Sequence, residues 1–314
     1  MNITEQIPHQ PTTLAILGAG AWGSALTSLA QRNGHKVLLW SRSGALSLED
    51  ALANVEMVVS AIPMKGVATT VAKIKELGLR EDIIIVTATK GLDTVTTRTP
   101  SQIWHSNFPH HPIVVLSGPN LSKEIEQGLP TATVVASHDA SAAQAVQTVF
   151  SSDRFRVYTN TDPLGTELGG TLKNVIAIAV GVCDGLQLGT NAKSALITRA
   201  LTEIIRIGTH LGGKTETFFG LSGLGDMLAT CSSMLSRNYR VGYGLAQGKS
   251  LAEVLAELQS TAEGVNTANV LIQIANREEI YVPISWQVYR LLNKEITPQE
   301  AVEALLERDL KSEN

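Results

Sequence analysis

"TLAILGAGAWG" occupies residues 13–23. An apolar run enters glycines at 18, 20 and 23, and "AWGSALTSLAQRNG" (21–34) follows with helix composition and a closing glycine. GxGxxG spacing between a strand and a helix, here "GAGAWG" with Ala21 as its fourth residue, fits a dinucleotide-binding turn. Gly18 permits the tight turn, Gly20 lets a pyrophosphate approach the backbone, and Gly23 lets the helix pack on the strand. The phosphates would then sit at the helix N-terminus, where free N–H groups and the dipole favour an anion. A glycine-rich turn without a ligand has the same local signature, so the surrounding pattern decides.

Outward from the turn, β-rich runs alternate with helical ones. The strands are "HKVLLW" (35–40), "EMVVSAIP" (56–63), "DIIIVTATKG" (82–91), "HPIVVLSGP" (111–119), "TATVVAS" (131–137) and "FRVYTN" (155–160). Helical stretches lie at 46–55, with Ser47 as N-cap and Asp50 three residues on, and at 65–78, 122–128 and 139–152. Near-continuous Val/Ile strands between helices imply a mostly parallel sheet covered on both faces. After Asp162 the strand signals stop and every segment has helical spacing. The boundary falls near "TNTDPLG" (159–165). The expected organisation is a loose tail (1–11), a doubly wound Rossmann-like α/β domain (12–161) and an all-α domain (162–314).

Composition narrows the function. Hydrophobic residues at 44% and charged residues at 17% fit packed domains rather than disorder. A net charge of −4 without a basic block argues against nucleic acid as partner. Cys183 and Cys231 form neither a disulfide framework nor a CxxC pair, and the histidines show no HExxH spacing. The most apolar stretch, "VIAIAVGVC" (175–183), is about half a bilayer span. The start lacks a signal-peptide pattern, so a cytoplasmic protein is expected.

Ligands of a doubly wound sheet bind outside the carboxyl ends of its strands. The second strand ends "WSRS" rather than in an acid, which places Ser41 and Arg42 where a ribose would lie. Arg42 either pairs with a 2′-phosphate, favouring NADP(H), or is a solvated loop residue. Lys90, ending "TATK", and Gly118, in "LSGPN", either face the cleft or belong to ordinary loops.

In the helical half, "GGTLKNVIAIAVG" (169–181) sets one lysine in an apolar helix. The side chain of Lys173 leans over Gly169 and Gly170. Two helical glycines cost about 1 kcal/mol each against alanine, so a gap for a small ligand is expected beneath the lysine tip. Desolvation would lower the lysine's pKa toward proton-transfer range. The alternative is a lysine that snorkels to solvent past a tight helix contact. Asp226 and Thr230 share a helical face, and Asp226 either pairs with Lys173 or is a helix N-terminal acid. Ser236, Arg237 and Asn238 form an anion cradle or, in the plainer reading of Arg237, carry a surface charge.

The motifs "GAGAWG", "ATKGL", "SGPNLSKE", "GTLKNVIAIAVG", "NAKSALITRALTEI", "GLSGLGDMLATC" and "SRNYRVG" together resemble the NAD(P)-dependent glycerol-3-phosphate dehydrogenases. The resemblance implies reduction of dihydroxyacetone phosphate to sn-glycerol 3-phosphate by NADPH, or by NADH, for phospholipid synthesis. It implies that Lys173 is the acid/base, that Lys90 touches substrate and cofactor, and that Asp226 and Thr230 lie at the substrate. Ser236, Arg237 and Asn238 would hold the phosphate, with Arg237 also reaching the cofactor. Trp22, Gly118, Ser122 and Glu263 match cofactor-side positions, Gly118 being counted with the substrate as well. Asn120 stands where relatives carry Asn or a small hydroxyl residue and is taken as substrate-binding. Relatives often dimerise. They usually have some two dozen more residues after the second strand, so this sheet should lack an edge strand on the adenosine side. A related dehydrogenase of another keto or hydroxy acid, or a non-catalytic NADPH sensor, are the competing functions.

Overall fold

The computed structural model describes residues 10–258, 261–307 and 312; of the expected tail, residues 1–9 lie outside them. The chain opens with β1 (Thr13–Leu17), α1 (Ala21–Arg32), β2 (Lys36–Trp40), α2 (Leu48–Leu52), β3 (Met57–Ser60), α3 (Val67–Leu77) and β4 (Ile84–Thr87). It continues with α4 (Pro100–Asn107), β5 (Ile113–Ser117), α5 (Ser122–Glu126), β6 (Thr131–Ala136), α6 (Ala140–Phe150) and β7 (Phe155–Asn160). The strands form one seven-stranded sheet in the order β2-β1-β3-β4-β5-β6-β7. All pairings are parallel except β5 with β6.

Side chains alternate across the pleat, so Leu14 and Ile16 enter one core while Ala15 and Leu17 enter the other. The first core packs α1 and α6 on the sheet, and the second packs α2, α3 and α4. Ser47 caps α2 by accepting the Asp50 N–H, as expected. The strand order reverses at β1, which places a ligand crevice beyond the carboxyl ends of β1 and β3. Among the described residues β2 is the edge strand on that side, since the chain passes almost directly from β2 into α2.

Beyond β7 the described residues form helices only. These are α7 (Pro163–Gly185), α8 (Gly189–His210), α9 (Thr215–Phe218), a π-helical turn over Leu221–Gly225, α10 (Asp226–Cys231) and α11 (Arg237–Ala246). The remainder are α12 (Leu251–Leu258), α13 (Glu263–Arg277), α14 (Pro283–Leu292) and α15 (Pro298–Leu306). α7 is the axis of this half. By length and composition alone its 23 residues could cross a bilayer. However, 89% of its most apolar window is buried by the surrounding fold. Asp162 caps it, accepting the Gly165 N–H at 2.9 Å, and ties in α9 through the Lys214 N–H and the Thr217 hydroxyl.

Candidate active site

The glycine turn meets each demand of a dinucleotide. Gly18 adopts φ +114°, and a Cβ there would stand 2.7 Å from the Ala61 carbonyl oxygen. A Cβ at Gly23 would stand 1.8 Å from the Gly18 carbonyl, so only glycine lets α1 seat against the turn. At Gly20 a Cβ would meet nothing within 4 Å. The space over the first turn of α1 is therefore open, and no side chain caps that helix start. Uncapped N–H groups facing open space suit a pyrophosphate. Ala21 begins the helix, and the Trp22 indole N–H donates to the Ala88 carbonyl at 3.1 Å, joining α1 to the end of β4. Arg42 lies exposed just past β2. Ser122 starts α5, part-exposed.

Two lysines from opposite halves converge on one carboxylate. Lys90, leaving β4, donates to Asp226 Oδ2 at 2.5 Å and to the Gly118 carbonyl at 3.2 Å. Lys173, on α7, lies 3.1 Å from Asp226 Oδ1 and donates to Thr230 Oγ1 at 2.5 Å. Thr230 in turn donates to Asp226 Oδ1 at 3.2 Å, one helical turn away on α10. Lys173 is only 6% exposed, which rules out the snorkelling alternative. Burial pulls its ammonium down to about 8; Asp226 opposes the shift and Lys90 adds to it. Two ammoniums against one carboxylate leave the cluster able to stabilise a new negative charge.

The glycine pair has a different purpose from the one expected. A Cβ at Gly169 would stand 3.0 Å from the Ser222 carbonyl and 3.1 Å from Gly223 Cα. One at Gly170 would stand 2.2 Å from Ser117 Oγ and 3.4 Å from Lys90 Cε. The expected gap for a ligand is filled by protein: the glycines let the π-helical turn and β5 press against α7, and they admit the Lys90 side chain.

The remaining candidates are scattered around this centre. Asn120 Nδ2 donates to Thr133 Oγ1 at 2.9 Å, while its buried Oδ1 has no partner within the chain. Ser236 caps α11, its hydroxyl accepting the Tyr239 N–H at 3.2 Å. Asn238 is buried, donating to Asn174 Oδ1 and accepting the Gly264 N–H, both at 2.9 Å. Of the "SRN" trio, Arg237 is the exposed member. Glu263 begins α13 beside Gly91; burial raises its pKa, with the Met64 N–H and the Arg237 charge opposing. Asn174, beside Lys173 in sequence, and Thr171, which accepts the Gly91 N–H at 3.1 Å, escaped the sequence reading. Their roles depend on partners far away in the chain.

A glycine-turn sheet joined to a helical half that supplies a buried lysine defines a nicotinamide-dinucleotide-dependent dehydrogenase. Residues 13–48 and 43–143 match the family model for the N-terminus of NAD-dependent glycerol-3-phosphate dehydrogenase, and residues 162–303 match that for its C-terminus. The chain belongs to the NAD-dependent glycerol-3-phosphate dehydrogenase family.

It is 65% identical over 302 residues to a protein of Acaryochloris marina named glycerol-3-phosphate dehydrogenase [NAD(P)+], covering 96% of this chain and 97% of that one. A Synechocystis protein of the same name is 64% identical over 303 residues, 96% of each chain. The crystal structure of glycerol-3-phosphate dehydrogenase from Coxiella burnetii superposes with TM-score 0.91 at 35% identity, covering 95% of this chain and 99% of that one. The two N-terminal matches overlap at residues 43–48, between β2 and the start of α2.

Proposed function

We propose that the chain reduces dihydroxyacetone phosphate to sn-glycerol 3-phosphate with NADPH or NADH, supplying glycerophospholipid synthesis. The observation that carries the reading is the pair of ammoniums on Asp226, set at the carboxyl end of β4 in a sheet whose glycine turn is shaped for a dinucleotide. The names carried by the close relatives support the substrate. Residues 12–161 would hold the dinucleotide and residues 162–314 the substrate. Gly18, Gly20, Ala21, Trp22 and Gly23 would receive the pyrophosphate side, and Arg42 a 2′-phosphate. Ser122 and Glu263 would lie at the cofactor's edge. We assign the enzyme to the cytoplasm, as a homodimer.

When bound, the reduced nicotinamide supplies the hydride that a ketone carbon accepts. Lys173 then gives a proton from Nζ to the carbonyl oxygen as charge develops there. Lys90 stabilises the same charge, and Asp226 holds both ammoniums in place. Thr230 fixes the Lys173 amine. Arg237, with Ser236 and Asn238 at the α11 N-terminus, takes the phosphate, whose binding orients the carbonyl. Gly118 and Asn120 line the approach, the free Oδ1 of Asn120 accepting a substrate hydroxyl. The test is NADPH oxidation followed by absorbance, with dihydroxyacetone phosphate, then with NADH, then with unphosphorylated keto acids. Turnover confined to the keto acids would overturn the proposal.

A further inference from the structure

The mechanism leaves the buried carboxylate of Glu167 without a task. Glu167 lies on α7, the helix of Lys173, and is 2% exposed. Its Oε1 accepts the Ser101 N–H at 2.9 Å, its Oε2 accepts the Ser101 hydroxyl, and Thr99 adds a third side-chain contact. Thr99 and Ser101 form the start of α4, which packs into the sheet's core through Ile103 and Trp104. Glu167 thus ties the catalytic helix to the other half of the molecule.

The segment between Lys90 and α4 meets the helical half at both ends and at Thr97, which accepts from Arg277 Nη1 at 3.4 Å, while residues 94–96 and 98 are exposed. On the sheet side, Thr89 Oγ1 donates to the Ile62 carbonyl at 2.8 Å and Lys90 Nζ to the Gly118 carbonyl at 3.2 Å. On the helical side, Lys90 meets Asp226, the Gly91 N–H meets Thr171, Leu92 buries against Val270 and Ile274, and Ser101 meets Glu167. Thr171 and Glu167 are four residues apart, on one face of α7. Burying a carboxylate is costly, and an apolar side chain would fill the same space more cheaply. A two-oxygen tie adds direction, which an apolar contact lacks.

We propose that Glu167 is a positioning residue for Lys90. It anchors the far end of the 91–101 segment to α7, and so keeps the Lys90 ammonium over Asp226 beside Lys173. The inference rests on the role given to Lys90 above.

The test compares wild type with Glu167→Ala, Glu167→Gln and Ser101→Ala. Glu167→Ala should lower kcat about tenfold or more, since a misplacement near 1 Å can cost about a hundredfold, while the NADPH Kd stays at its wild-type value. Glu167→Gln keeps an acceptor for the Ser101 N–H and should restore most of kcat. Independently of turnover, acetylation of Lys90 by acetic anhydride, followed by peptide mass spectrometry, should run faster in Glu167→Ala. Wild-type kcat in Glu167→Ala, or a loss matched by weaker NADPH binding, would overturn the proposal. Unchanged Lys90 acetylation would do so even if wild type failed to turn over dihydroxyacetone phosphate, a failure that would count against the substrate alone. If Glu167→Ala does not fold, Ser101→Ala carries the test, with lower kcat and faster Lys90 acetylation expected and wild-type values contradicting the tie.

Discussion

Lys90 and Lys173 hold opposite oxygens of the Asp226 carboxylate, at 2.5 and 3.1 Å. One arrives from the end of β4 and the other from the middle of α7, so the contact exists only when the sheet and the helices are docked. The carboxylate is itself 2% exposed and sits where the π-helical turn runs into α10. Like charges this close repel, and Asp226 opposes the downward shift that burial and Lys90 impose on Lys173.

Replacing Asp226 by Asn should separate the two effects. The amide keeps the shape and loses the charge. The pH at which reduction fails should move down by about 1 unit or more, because an opposite charge at this range shifts a pKa by about 1 to 3. Comparing kcat–pH profiles of wild type and Asp226→Asn checks this.

In wild type, Lys173 has its pKa lowered from 10.5 to about 8 by burial. If Lys173 is the acid proposed above, reduction needs its protonated amine, so kcat should fall as pH rises through about 8, while oxidation of glycerol 3-phosphate should rise over the same range. Stability follows the opposite logic. Between about 8 and 10.5 the unfolded chain binds the proton that the folded chain has lost, so this residue's penalty relaxes as pH rises. Paired kcat–pH profiles for the two directions test the sign.

Gly170→Ala should destabilise the fold by about 1–3 kcal/mol, as overpacking does. The new methyl would meet Ser117 Oγ at 2.2 Å, whereas Ser117 Cβ stands at 3.5 Å, an ordinary contact. That hydroxyl has no hydrogen-bond partner within the chain. Ser117→Ala should therefore cost little alone and should recover most of the loss in the double variant. Urea denaturation of the three variants measures both.

The sheet was legible because its strands are continuous Val/Ile runs broken by glycine and helix signals, and the glycine turn stood in its proper context. Lys173 was legible for a similar reason, as a charge alone in an apolar helix. What stayed hidden depends on contacts between residues distant in sequence. The antiparallel β5–β6 pairing leaves no mark on two ordinary apolar strands. α4 was missed although Thr99, Pro100 and Gln102 spell a capping box with proline at the first turn. Gly169 and Gly170 were read as room for a ligand, because spacing alone does not show that Gly223 and Ser117 fill it. Glu167 looked like any helix acid until Ser101 was placed against it.

Arg42 stands exposed just past β2, the edge strand of the sheet among the described residues. If it grips the 2′-phosphate, Arg42→Ala should raise the KM for NADPH about tenfold or more, since hydrogen bonds to charged groups contribute about 1.5–3 kcal/mol. The KM for NADH should stay put. Equal changes for the two cofactors would assign Arg42 to the solvent.

The proton donor is best tested by Lys173→Ala, in a single turnover with NADPH and dihydroxyacetone phosphate both saturating. A variant that folds, binds NADPH as wild type does, and transfers hydride about 10² to 10⁴ times more slowly is the outcome required of a general acid. A rate above about a tenth of wild type would show that the proton comes from elsewhere, since that loss falls short of what such an acid contributes.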